Sequence, residues 1–117
     1  MTNEKTITIC GKEVKMRYCA AAETGFEQMS DKSIGDIDFK ARGDLIRLSF
    51  SSILAAYLRS DIKTPVTITD ILSDAKPKEI ADMFTTLAEI RKAWYEVPSV
   101  VEPEMDEDAQ SETEKNA

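Results

Sequence analysis

The sequence TITICGKEVKMRY, residues 6–18, contains the alternation that decides the fold. Polar and apolar residues alternate through residues 6–10 and again through residues 13–18, which is the period of a strand with one buried face. Gly11 and Lys12 lie between the two segments, and glycine in the first position favours a two-residue type II′ turn. The stretch therefore predicts an N-terminal two-stranded β-hairpin.

The same alternation predicts the register of the hairpin. With the turn between them, the two strands place their apolar residues on one face and their polar residues on the other. A slip by one residue would mix the two faces, so the pattern favours a single register. The predicted pairs are Cys10 with Glu13, Ile9 with Val14, Thr8 with Lys15, Ile7 with Met16 and Thr6 with Arg17.

After the hairpin the apolar period changes from 2 to 3.6, which predicts helices. In the first helix, Cys19 begins the apolar stripe, and Gly25 either weakens the helix or allows another element to approach closely. The second helix, over residues 44–59, has Asp44 as its predicted N-cap. Because this helix is apolar on most sides, it is expected at the centre of the core.

Two further helices are predicted in the second half of the chain. Thr67, with Asp70 three residues later, resembles the capping box that opens a helix. Pro77 suits the first turn of a last helix that extends to about Tyr95. With 117 residues and 42% hydrophobic content, the chain predicts one α+β domain over residues 1–97, its hairpin packed on about four helices.

The net charge of −7 is concentrated at the C-terminus. Residues 98–117 hold seven acids and one base, a net −6, and are predicted to form a disordered acidic tail because they contain few apolar residues. The remaining −1 arises from 14 bases scattered among 15 acids. Nucleic-acid binding needs clustered Lys and Arg, so no nucleic-acid partner is expected.

The apolar runs are too short to span a bilayer, and the N-terminus lacks a basic segment followed by an apolar one, so no membrane partner and a cytoplasmic location are expected. In the predicted hairpin, the second strand separates the turn from Cys19 by roughly 20 Å, which is beyond disulfide reach for Cys10. Cys19 is expected as core filler and Cys10 at the edge of the turn. With no histidine and no third cysteine, no metal site and no cofactor are predicted.

The chain offers little for catalysis. Its four glycines are too widely separated for a phosphate-binding loop, and it has no histidine for proton transfer. Asp36 and Asp38 form a carboxylate pair, but they lie in a predicted loop beside no evident apolar pocket. We therefore expect that the protein is not an enzyme and has no catalytic residue.

Trp94 and Tyr95 are adjacent at the end of the predicted last helix. Neighbouring helix positions point about 100° apart, so one of the two rings is expected to be exposed. Trp and Tyr are enriched in the hot spots of protein interfaces. We therefore hypothesise that Trp94 and Tyr95 belong to a partner-binding surface.

The order of these elements resembles a known family, the small tail assembly chaperones of long-tailed bacteriophages and prophages. The likeness includes the hairpin ITICGKEVKMRY, a helix with FEQM that continues into SDKSIGDID, and the apolar helix DLIRLSFSSILAAYL. Relatives often carry a Phe-Glu pair, a Thr-Gly-Lys-Ser-like turn and an Asp-Ile-Asp-like ending. The corresponding residues here are Phe26-Glu27, Ser30-Asp31-Lys32-Ser33 and Asp36-Ile37-Asp38. Asp31 departs from the pattern, because glycine at this position would adopt the left-handed conformation at a helix end more easily.

The resemblance implies a chaperone that coats the tape-measure protein, keeps it soluble, helps tail-tube subunits to polymerise around it, and self-associates. An acidic tail would help to keep such a complex soluble. A different class remains open, a small regulatory adaptor that binds a host protein, with the acidic tail as a mimic of nucleic acid. The chaperone would tolerate deletion of residues 98–117, whereas the charge mimic would lose its partner and show strong salt dependence.

Overall fold

The computed structural model of the chain describes residues 2–96, which form a two-stranded antiparallel hairpin followed by four α-helices. This confirms the predicted α+β class. The predicted acidic tail, residues 98–117, lies outside the described residues. The elements are β1 (Glu4–Ile9), β2 (Lys12–Arg17), α1 (Ala20–Ser30), α2 (Arg42–Ala56), α3 (Ile68–Asp74) and α4 (Pro77–Glu96), with a 3-10 turn (Ile34–Asp36) between α1 and α2.

The hairpin turn lies one residue earlier than predicted. Ile9 pairs with Lys12, so the two-residue turn consists of Cys10 and Gly11. Their φ angles are 55° and 74°, and two positive values define a type I′ turn instead of the predicted type II′ turn. The predicted partner of each strand residue was therefore wrong by two positions. Ile9, for example, was predicted to pair with Val14 but pairs with Lys12. Each residue nevertheless keeps its predicted face, because a shift of two preserves the alternation.

The carboxylate of Glu79 holds this turn. Left-handed backbone costs a residue with a Cβ, such as Cys10, about 1–2 kcal/mol. Glu79 Oε1 accepts hydrogen bonds from the N–H of Cys10 at 3.1 Å and from that of Lys76 at 2.9 Å. Glu79 Oε2 accepts one from the N–H of Gly11 at 3.1 Å. Because Lys76 immediately precedes α4, this one side chain ties the hairpin turn to the beginning of the last helix.

The second helix lies at the centre of the core, as the sequence predicts. α2 contacts α1, β2 and α4, and its Leu48 and Ile53 side chains are fully buried. β1 packs on α4 and β2 packs on α2, so the apolar face of the hairpin covers both α2 and α4. The buried residues of the hairpin are Ile9, Val14 and Met16.

The predicted N-cap of this helix was wrong. Ala41 occupies the N-cap, and Asp44 lies in the first turn of α2. Asp44 Oδ2 instead accepts hydrogen bonds from Lys32 Nζ at 2.8 Å and from the N–H of Asp38 at 2.9 Å. These bonds lower the pKa of the Asp44 carboxyl. Asp44 therefore fastens the loop between α1 and α2 to the helix instead of capping it.

Gly25 allows α1 and α2 to approach closely, which is one of the two alternatives that the sequence left open. A Cβ at this position would lie 2.2 Å from Ser51 Oγ and 3.4 Å from Ser51 Cβ. Ser51 is buried in α2 and donates a hydrogen bond of 2.6 Å to the carbonyl oxygen of Ala22. Glycine has a low helix propensity, but at this position its lack of a side chain allows the two helices to come into close contact.

We expect Gly25→Val to lower the free energy of unfolding by about 1–3 kcal/mol, because the branched side chain overpacks the contact with Ser51. Gly43→Val, at an exposed position in the first turn of α2, is the matched control and should change this free energy by no more than about 0.5 kcal/mol. Urea unfolding followed by circular dichroism measures both. Equal losses in the two variants would contradict the packing role of Gly25.

A second prediction concerns the pH dependence of stability. Three backbone N–H groups, first that of Lys76 and then those of the hairpin turn, lower the pKa of the Glu79 carboxyl in the folded state. The stability that Glu79 contributes is therefore present above the unfolded carboxyl pKa of about 4.3, and it is lost as the pH falls through the lower folded pKa. We expect Glu79→Gln to lower the Tm at pH 7 and to reduce the further Tm decrease between neutral pH and about pH 3.

Glu89→Gln is the control for this experiment, since Glu89 pairs with Lys5 at 2.6 Å on the exposed surface. Surface ion pairs contribute little to stability, so this variant should keep the Tm profile of the unmodified chain. Thermal unfolding scans across the pH range provide the comparison. If the acid decrease in Tm were unchanged in Glu79→Gln, the assigned role of Glu79 would be wrong.

Candidate partner-binding groove along the last helix

The last helix has two apolar faces. One is buried against the hairpin and α2 and consists of Ile80, Met83, Leu87 and Ile90. The second contains a half-buried phenylalanine, Phe84, between two exposed alanines, Ala81 and Ala88. Because Ala81 and Ala88 are exposed and Phe84 is only half-buried, α4 presents apolar surface outward along this second face.

Two hollows border this outer face of α4 and meet at Phe84, and we call them together the α4 groove. The hollow toward the end of the helix has a volume of about 450 Å³, and the one toward its beginning has a volume of about 440 Å³. The first lies between α4, the loop residue Phe39 and Leu45 of α2. The second lies between α4, the beginning of α2 at Arg42 and Leu72 of α3.

Three of the six large apolar side chains that are exposed within residues 2–96 line this groove. Phe39 is 46% exposed, Leu72 65% and Tyr95 55%. Large apolar side chains with this much exposure, placed around a concave surface, are typical of a protein interface. The α4 groove is therefore the candidate functional site of this chain.

Two arginines lie over aromatic rings inside the groove. The guanidinium of Arg91 lies 4.8 Å from the ring centroids of both Phe39 and Tyr95. The guanidinium of Arg42 lies 5.9 Å from the ring centroid of Phe84. Cation–π contacts of this kind hold the charged groups at defined places on the apolar surface. The groove thus combines an apolar floor with fixed positive charge.

Trp94 and Tyr95, the aromatic pair predicted from the sequence, lie in different environments. Tyr95 lines the groove, whereas Trp94 is half-buried and its ring centroid lies 5.4 Å from that of Tyr18 in the core. This division follows from the 100° between adjacent helix positions. Partner binding by Trp94 and Tyr95 stays a prediction, and only Tyr95 lies where a partner in the groove would touch it.

The carboxylate of Glu23 fastens the end of α4 to α1. It accepts hydrogen bonds from the hydroxyl of Tyr18, at 2.7 Å, and from the hydroxyl of Tyr95. Burial, and then the hydrogen bond to Glu23, raise the pKa of both tyrosines above the ordinary value, so both hydroxyls are protonated at neutral pH. These contacts hold the Tyr95 end of the groove in place before any partner binds, which reduces the entropic cost of binding.

The residues that carry the family resemblance have structural roles in the α1–α2 loop. Glu27 Oε2 accepts a hydrogen bond of 2.7 Å from the N–H of Ile34. Asp31 adopts the left-handed conformation at the C-cap of α1, with φ of 58°, which glycine would adopt more easily. Lys32 forms the ion pair with Asp44. This loop positions Phe39, and through it one wall of the groove.

The remaining candidate chemistry gives no second site within residues 2–96. Cys10 and Cys19 are both free thiols, and Cys19 is half-buried at the N-cap of α1, less deeply placed than the predicted core filler. In this part of the chain, no three Cys, Asp or Glu side chains form a group suited to a metal ion. None of the helices here combines the length and apolar character needed to cross a membrane.

Comparison of the chain with protein-family models, with curated proteins and with solved structures gave no match. The resemblance to tail assembly chaperones therefore stays a prediction.

The different burial of the two aromatic residues predicts different effects on stability. We expect Trp94→Ala to lower the free energy of unfolding by about 2–4 kcal/mol, because it leaves a cavity beside Tyr18. Tyr95→Ala should lower it by about 1 kcal/mol, since it removes a largely exposed ring. Urea unfolding followed by far-UV circular dichroism tests this difference. A larger loss for Tyr95→Ala than for Trp94→Ala would contradict the assignment.

Proposed function

We propose that this chain is a non-enzymatic tail assembly chaperone of a bacteriophage or prophage, which acts in the cytoplasm of the bacterial host. In this proposal it holds helical segments of the tape-measure protein in the α4 groove and helps to recruit tail-tube subunits. The observation that carries the proposal is the groove itself, with its apolar floor and three large exposed side chains. The resemblance of the hairpin, loop and second helix supplies the identity of the partner.

A shallow groove suits a holding function better than an enzymatic one. A chaperone for a long helical protein must bind many similar apolar segments weakly, without a deep pocket for one small molecule. The α4 groove lies between packed helices and offers apolar contacts over a long surface. Self-association, which the resemblance also implies, is part of the proposal but is not needed for binding in the groove.

The regulatory adaptor is the second candidate, because residues 98–117 carry seven acids and one base. An adaptor of this kind would bind its host protein through charge and would not need the groove. The two candidates therefore differ in which part of the chain a partner contacts.

The test is a tagged pull-down from the native host after prophage induction, with mass spectrometry of the recovered proteins. Ala88→Arg blocks the groove at an exposed position, and Ala20→Arg makes the same change at an exposed position of α1. We expect the unmodified chain and Ala20→Arg to recover one very long helical protein together with tail-tube subunits. Recovery of both should fall at least tenfold with Ala88→Arg.

Two results would contradict the proposal. One is recovery of a host regulator or enzyme without tail proteins, which would favour the adaptor. The other is equal recovery of the tape-measure protein by Ala88→Arg and Ala20→Arg, which would place its binding outside the groove. Circular dichroism of the purified variants verifies that both keep the fold.

A further inference from the structure

The outer face of α4 has the spacing of a coiled-coil seam. Its residues follow one another at alternating intervals of four and three, which is the heptad pattern of a helix that packs lengthwise on another helix. Over 18 residues at ~1.5 Å each, the seam extends for about 27 Å. It consists of Pro77, Ala81, Phe84, Ala88, Arg91 and Tyr95, of which Phe84 and Arg91 are half-buried and the others exposed.

Small and large side chains alternate along this seam. Ala81 and Ala88 leave space where a second helix can insert large apolar side chains. The larger side chain of Phe84 lies between these two alanines. This is the complementarity that knobs-into-holes packing requires. The shape of the groove thus fits a helix that lies along α4, and it fits an extended strand less well.

The charge of the groove specifies this helix further. Of the residues that the structure describes, those lining the groove include the cations Arg42, Arg91 and Lys92 but only one carboxylate, Glu96. Within residues 2–96, neither Arg42 nor Arg91 has a carboxylate oxygen within 4.0 Å. The charges of these two guanidinium groups can therefore pair with carboxylates that a ligand brings to the groove.

We propose that the occupant of the α4 groove is an acidic amphipathic helix, with large apolar residues at heptad positions and carboxylates beside them. The apolar residues insert over Ala81 and Ala88, and the carboxylates pair with Arg42 and Arg91. This inference rests on the proposed function for the groove as a binding site, and it adds the charge and the packing mode of the segment that binds there.

Two other occupants fit the groove less well. A second copy of this chain, docked seam to seam, would place arginines against arginines, and like charges in an interface are unfavourable. Residues 98–117 of the chain are acidic, but their large apolar residues, Val100, Val101 and Met105, are too few for the heptad spacing of the seam. An acidic helix of a partner combines the spacing and the charge that the groove requires.

The probes are two designed peptides of three heptads, about as long as the seam. Both have leucine at the core positions; one has glutamate and the other lysine at the flanking positions. We expect the full-length chain to bind the glutamate peptide at least tenfold more tightly at low salt, by isothermal titration calorimetry. The difference should shrink at high salt, where charge pairs are screened. Amide chemical-shift changes should concentrate at Phe39, Ala81 and Ala88.

A charge-reversed pair of variants makes the test specific. Arg42→Glu with Arg91→Glu should abolish the preference for the glutamate peptide or reverse it. Lys15→Glu with Lys63→Glu makes the same change of charge at exposed positions outside the groove and should keep the preference. Equal affinity of the chain for both peptides, or an unchanged preference in the arginine variant, would overturn the proposal. Shifts at the same amides on raising the chain concentration alone would assign the groove to a second copy.

The outcomes separate this inference from the proposed function. Recovery of the tape-measure protein in the pull-down, combined with equal binding of both peptides, would retain the chaperone and refute the acidic helix. A clear preference for the glutamate peptide, combined with recovery of a host regulator alone, would retain the acidic helix and refute the chaperone.

Discussion

The carboxylate of Glu79 contacts the N–H groups of the hairpin turn, where Cys10 lies 69 residues earlier in the chain, and also the N–H of Lys76, which precedes α4. Because Cys10 in this turn has left-handed backbone, the turn needs a partner that compensates its conformational cost. With the turn held there, β1 lies along α4 and covers its Met83 and Ile90 face. Because this face of α4 is covered by β1, the opposite apolar stripe of α4 faces outward. The groove lies along that stripe.

A second set of contacts shapes the other wall of the groove. Asp44 binds Lys32 and the backbone of Asp38, and Glu27 binds the backbone of Ile34, so the α1–α2 loop is fastened at both ends. This loop carries Phe39 to Arg91 on α4. Two carboxylates, which the sequence placed at a helix N-cap and within the first helix, therefore position an apolar ring at the candidate site.

The groove combines two features that together favour a specific partner. Its floor is apolar and provides contact area, while the two arginines stacked on aromatic rings provide charge at defined positions. Glu23 accepts a hydrogen bond from the hydroxyl of Tyr95 and so holds that end of the groove in place. A partner helix that matches both features would bind without first ordering the site.

The sequence by itself determined the faces of the hairpin, the capping box of Thr67 and Asp70, the central place of α2 and the exposure of one aromatic residue of the Trp94-Tyr95 pair. These features depend on periodicity and on neighbours within four residues, which a single sequence displays. Only the tertiary structure decided the position of the turn, the role of Asp44 and which apolar stripe of α4 remains open. Each of these depends on partners distant in the chain, such as Glu79 for Cys10 and Phe39 for Arg91, and spacing along the sequence does not encode such contacts.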